Sequence, residues 1–257
     1  DYIVDIENIS PHHDIEPLPN GNILLLSWER KTYDDAIQMG KVNIELGYEI
    51  WPTVIHELQP VGLDSVNIVW EWHLWDHLVQ DIDPSIPNYG SVLENPQLFD
   101  INLGDIPFSS VGNTSLGDWL HCNSIHYNSN LDQIVISSRF MDEFYIIDHS
   151  TTTEEAISSN GGYYGKGGDI LYRWGNPINY GRGDLSNQQL DNQHSVNWID
   201  SNAPGSGNII LFNNGFSNVL ELTLPHIDGH YSINNYDSFL PETPTLIYEG
   251  GFYSGYQ

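Results

Sequence analysis

A single cysteine, Cys122, stands among 257 residues, so no disulfide can form within the chain. Its redox compartment stays open, because a chain with a large core needs no such staple. Basic residues are nearly as scarce: seven Lys and Arg face 35 Asp and Glu, a formal charge of −28. A surface of that sign repels phosphate backbones and anionic membrane faces, which argues against nucleic acid as a partner and keeps the chain dispersed in water. No apolar run approaches the roughly eighteen residues of a membrane helix, so membrane insertion is not expected. The start at Asp1 shows no basic-then-apolar export pattern, so any such signal is expected to have been removed or never included. Long stretches of 3.6-residue periodicity are also missing, which leaves room for few and short helices.

Aromatic and β-branched residues, Gly and Pro are abundant, and they point to strands joined by turns. Twelve candidate strands fall into three sets of four. The first set is "HDIEPLP", "NILLLSWER", "EIWPTVIHEL" and "NIVWEWHLW"; the second is "WLHCNSIHY", "QIVISSRF", "EFYIIDH" and "DILYRWG"; the third is "HSVNWID", "NIILFNNG", "NVLELTL" and "TLIYEGG". Each set opens with a histidine-bearing strand, a turn rich in Asn, Gly or Asp, and a strongly apolar strand. A four-stranded unit repeated in this way predicts an all-β fold, a β-propeller whose blades are these sheets and whose first strands line a central channel. The blades are expected at about 10–77, 118–175 and 192–251, with a long excursion at about 78–117, all within residues 1–257 as one propeller domain or a segment of one. Three blades do not close a ring, so the chain is expected to be a partial set. Residues 1–8 then read as the tail of a preceding blade, and the last residues as the approach to a further one.

Superposing the repeats brings His13 of "PHHDIEP", His121 of "WLHCNSI" and His194 of "NQHSVNW" to one position, each opening the inner strand of its blade. Arg139, at the end of "QIVISSRF", can reach the same place. Three imidazoles and a guanidinium suit a sulfate, phosphate or carboxylate, since Arg offers a planar fork of donors and imidazole serves as nucleophile or proton carrier near neutral pH. The plainer alternative is that the recurring histidines tie adjacent blades together. A three-histidine metal site is a rival that the nearby guanidinium disfavours, so no metal is expected. Strand alternation lets one of His12 and His13 face the channel, and the pattern does not say which. His73 and His77 would pair on a helix with Asp76 orienting one of them, but their aromatic setting favours packing at a strand end. The runs "GGYYGKGGD" and "NYGRGD" lack a strand-to-helix context and read as loops.

Together "HHDIEPLPNGNILLL", "WEWHLWDHL", "DWLHCNSIHY…DQIVISSRF…YIIDH", "DILYRWG", "QHSVNWI" and "NIILFNNG" resemble the bacterial arylsulfotransferases that do not use a nucleotide sulfate donor, over most of residues 10–255. The resemblance implies a six-bladed propeller, exported to the periplasm or secreted and often homodimeric. It implies transfer of a sulfuryl group from an aryl sulfate ester to a phenol through a sulfated histidine, with no cofactor. Carried over by motif, His194 would be the nucleophile, His121 and Arg139 would bind sulfuryl and bridging oxygens, and His13 would complete the pocket. The chain departs from some members in having no disulfide beside the nucleophile. A non-catalytic propeller serving as a ligand-binding or structural module is the alternative reading.

Overall fold

A computed structural model describes residues 9–104, 117–232 and 236–250. The predicted chain ends at 1–8 and 251–257, and part of the 78–117 excursion, lie outside the described residues. The fold is all-β. Strands β1 (Ile9–Pro17), β2 (Ile23–Glu29), β3 (Thr53–Val61) and β4 (Ser65–His73) form one antiparallel sheet in that order, with the short helix α1 (Tyr33–Gln38) between β2 and β3. A 3-10 turn at Leu74–His77 leads to a small parallel pair, β5 (Leu78–Val79) and β6 (Phe99–Asp100). The second antiparallel sheet holds β7 (Cys122–Asn128), β8 (Gln133–Ser138), β9 (Glu143–Asp148) and, after the one-turn helix α2 (Thr153–Ala156), β10 (Tyr172–Trp174). The third holds β11 (His194–Trp198), β12 (Ile209–Asn213), β13 (Asn218–Leu222) and β16 (Thr245–Glu249), with the hairpin of β14 (His226–Ile227) and β15 (His230–Tyr231) inserted. Each of the three sets of strands read from the sequence therefore builds one four-stranded sheet.

The second sheet lies between the other two, and strand alternation explains how. Ile134 and Ile136 of β8, with Tyr145 and Ile147 of β9, pack into a core with Leu24, Leu26, Ile55 and Trp72 of the first sheet. Their alternates Val135, Phe144 and Ile146 pack into a separate core with Val196, Ile209, Leu211 and Leu222 of the third. Successive side chains of a strand point to opposite faces, so a sheet covered on both sides shows consecutive apolar residues at the centres of "QIVISS" and "EFYIID", and both strands are buried at every position. Each such side chain contributes about 1.5–3 kcal/mol when fully buried.

The inner strands β1, β7 and β11 are joined by side chains. Asp14 and Glu16 of β1 accept from the backbone N–H groups of Ile125 and Tyr127 in β7, at 3.1 and 3.2 Å. Ser124 and His126 of β7 accept in turn from Val196 and Trp198 in β11, at 3.0 and 3.3 Å. All three strands carry a register shift near their histidines, between Pro11 and Ile15, Cys122 and Ser124, and His194 and Asn197. One expectation needs correcting here. His13 does not open its strand but sits inside β1, within the irregular stretch, with a left-handed φ of 55°.

Candidate active site

The site is assembled at the edge where β7 and β11 begin and β8 ends. His121 precedes β7, and its φ of 49° turns the backbone into the left-handed region that a non-glycine residue enters only when its surroundings force it. The forcing contacts are visible. The backbone N–H groups of Arg139 and Phe140 donate to the carbonyls of His121 and Leu120 at 3.1 and 3.2 Å, and the Ser138 hydroxyl donates to Leu120 O at 2.8 Å. The first of these bonds joins His121 and Arg139 through main chain alone, and the other two hold the residues on either side.

His194 is referenced to the same edge by its neighbours. The fully buried Gln193 amide donates to Ser137 Oγ, Ser138 O and Glu143 O at 3.1, 2.9 and 2.8 Å, while Asn123 Nδ2 donates to Gln193 O at 2.8 Å. Asn192, with a φ of 54°, is the hub: its side-chain oxygen accepts from Arg139 Nε at 3.0 Å, and its carbonyl lies 3.0 Å from His194 Nδ1. A carbonyl only accepts, so a hydrogen on Nδ1 satisfies it and leaves the lone pair at Nε2. Asn214 Nδ2 lies 2.9 Å from the same Nδ1, so in that tautomer the Asn214 amide must turn over to offer its oxygen instead.

His13 completes the group, its ring centroid 4.6 Å from that of His121 in an edge-to-face arrangement. Between His12 and His13 the geometry decides: His13 is exposed at this edge, while His12 stacks on Trp28 at 4.0 Å and meets His13 through their Nδ1 atoms at 2.8 Å. Burial and the adjacent His13 push His12 down to about 3, so it is a neutral packing ring. His13 is also lowered, by desolvation and then by His121, although Asp118 opposes the shift. Desolvation lowers His194 too; the Asn192 carbonyl opposes this, and Arg139 and His121 push further down. Cys122, next to His121, is no competing nucleophile, since burial lifts its thiol to about 12.

The remaining histidines are used elsewhere. His77 is buried, with Nδ1 2.9 Å from Asp169 and Nε2 2.8 Å from Ala156 O, and it stacks on Trp72. His73 ends β4 beside Glu29 at 3.3 Å. The two do not pair, in keeping with packing at a strand end. His126 accepts from the backbone N–H of Trp198 and so ties β7 to β11. Among the described residues no group of three or more His, Cys, Asp or Glu is placed to hold a metal ion, and no helix is long and apolar enough to cross a membrane. Cavities of about 320 Å³ beside Trp174 and Tyr180, and about 130 Å³ beside Tyr164 and Lys166, include none of the four residues. It is the chemistry of the four that marks the edge as a candidate site.

Against this geometry the sequence was compared with known families. Residues 2–235 match the sequence model of the arylsulfotransferase (ASST) family. The chain belongs to the arylsulfotransferase family. No curated protein matches it. Membership supports arylsulfotransferase activity in general, with aryl sulfates and phenols as the substrate classes.

Sequence reasoning missed three residues of this candidate site: Asp118, Asn192 and Asn214. Asp118 is 5 % exposed, and its Oδ2 meets His121 Nδ1 in a short contact. Its place three residues ahead of His121 in "DWLH" was the available signal.

Proposed function

We propose that the chain transfers a sulfuryl group from an aryl sulfate to a phenol through a covalent intermediate on His194. The observation that carries this reading is Asn192, which holds Arg139 and His194 together by 3.0 Å contacts to each. Arg139 uses only Nε in that bond, leaving the end of its guanidinium fork for sulfuryl oxygens. His194, with its lone pair at Nε2, attacks sulfur in line with the aryl oxygen. Negative charge then grows on that oxygen, and donors from His13 and His121 stabilise it more in the transition state than in the ester. In the second half of the cycle a phenol takes the aryl position and accepts the sulfuryl group.

The three sheets are, in this reading, consecutive blades of a propeller, with β1, β7 and β11 lining its channel, and the protein works in the periplasm or outside the cell as a monomer or homodimer. The direct test is mass spectrometry after mixing with 4-nitrophenyl sulfate and no acceptor. The expected result is one added sulfuryl mass on the peptide containing His194, absent from His194→Ala. Adduct formation surviving that substitution overturns the nucleophile; the absence of any adduct in the unmodified protein favours a non-catalytic binding module.

A further inference from the structure

Asp118 is buried at 5 % exposure, with Oδ2 on His121 Nδ1 and no hydrogen-bond partner for Oδ1 among the described residues. Its position is not accidental to the fold. Gly117 and Asp118 run beside Trp51, whose backbone N–H donates to Gly117 O at 2.6 Å. A side chain at 117 would collide with the Trp51 ring at 2.5 Å, so glycine is needed there for this close approach. Trp51 in turn lies 5.8 Å from Trp28, on which His12 stacks. A buried carboxylate left with one unpaired oxygen is costly, and it is kept at the one place where it touches a histidine of the cluster.

We infer that Asp118 is the positioning residue of the site and makes the His121–Asp118 pair its proton carrier, an assignment that rests on the transfer reaction proposed above. A carboxylate only accepts, so the contact keeps a hydrogen on Nδ1 of His121 and leaves Nε2 as the nitrogen that exchanges protons with the aryl oxygen. The other rings lack such a partner: His194 Nδ1 faces the Asn192 carbonyl and Asn214, and His13 Nδ1 faces His12. The labour is thereby divided. In the first half-reaction the His194 Nε2 lone pair forms the N–S bond, the S–O bond to the aryl group breaks, and its electron pair takes the proton from His121 Nε2 to release a neutral phenol. In the second, the acceptor phenol returns a proton to His121 Nε2 as its oxygen bonds to sulfur, and the N–S electron pair goes back to His194. The Asp118 carboxylate balances the charge that the ring carries before the first step and regains in the second.

The groups facing this pair are His13 and Arg139 beside His121, Asn192 and His194 across from it, and Cys122 next in the chain. The test compares Asp118→Asn and Asp118→Glu with the unmodified protein on two donors, 4-nitrophenyl sulfate and phenyl sulfate. Nitrophenolate departs without a proton, whereas phenolate needs one. Asp118→Asn should therefore change single-turnover sulfation by the nitrophenyl donor less than about 10-fold, and slow the phenyl donor by about 100-fold or more. Retained sulfation by the nitrophenyl donor shows in the same experiment that the variant is folded. Asp118→Glu should restore part of the phenyl rate. Equal slowing of both donors overturns the inference while leaving transfer through His194 standing. No sulfation in the unmodified protein would overturn both.

Discussion

Arg173 of β10 and Arg139, which follows β8, use the same side chain in opposite ways. Arg173 is fully buried and gives Nε and Nη2 to the two oxygens of Glu143 at 2.9 and 2.5 Å, while Nη1 reaches the carbonyls of Pro96 and Leu98. Glu143 pairs across the sheet with Ser138, the residue before Arg139. Arg139 itself meets one neutral oxygen, that of Asn192. The histidines repeat the contrast. His149 is clamped between Asp132 at 2.7 Å and Glu57 at 2.9 Å. Burial alone would lower it, yet the two carboxylates hold it up to about 9. His13 and His194 lie below the ordinary value and are only loosely bonded. Saturated partners make a cation structural; withheld partners leave it free for a ligand.

Swapping effects between the two arginines tests this contrast most severely. Arg139→Ala should cut transfer by about 10²–10³, with Arg139→Lys recovering little because the fork is lost, while urea unfolding changes by less than about 0.5 kcal/mol. Arg173→Met should do the reverse, costing about 3–5 kcal/mol of stability by stranding Glu143; a Tm equal to that of the unmodified protein would contradict the buried pair. His149→Gln should cost about 1–3 kcal/mol at pH 7. Its folded value near 9 exceeds the ordinary 6.5, so its stabilisation is complete below 6.5 and lost as pH rises through 9. The variant and the unmodified protein should therefore converge in urea melts at pH 10. The lowered His194 makes a finer prediction: desolvation delays the protonation that would remove its attacking lone pair, so His194 sulfation by 4-nitrophenyl sulfate should fall off at a lower pH than an ordinary imidazole's titration would give. The smallest effect is expected at His12→Phe, which keeps the stack on Trp28 and loses the bond to His13. A change of a few-fold in KM with the fold intact is expected.

The sheets and the four residues of the cluster were readable because a repeat exposes equivalence: turns such as "NSNLDQ" register one strand set against another, and His121 and His194 fall at strand starts in that register. Their neighbours were not readable. Asp118 reaches His121 only because His121 adopts a left-handed φ, which no β-propensity predicts at a histidine. Asn192 has the same backbone turn, and its role depends on a side chain reaching from the end of another strand. His13 was placed at a strand start because bulges add residues without changing the apolar pattern, and the shift between Pro11 and Ile15 moved it inward. The glycine-rich "GGYYGKGGD" is a series of turns, and Gly162 is required where a side chain would meet Asp148 Oδ2 at 2.2 Å.

The bonds from Asp14, Glu16, Ser124 and His126 onto the next inner strand have a consequence outside catalysis. An inner edge strand with open N–H groups is a template on which another chain can grow a sheet. In β7 and β11 four of those hydrogens are already taken, by side chains short enough to keep the strands from merging into one continuous sheet. Resistance to aggregation is thus written into the same strands that carry the histidines, and replacing Asp14 or Ser124 would trade solubility rather than turnover.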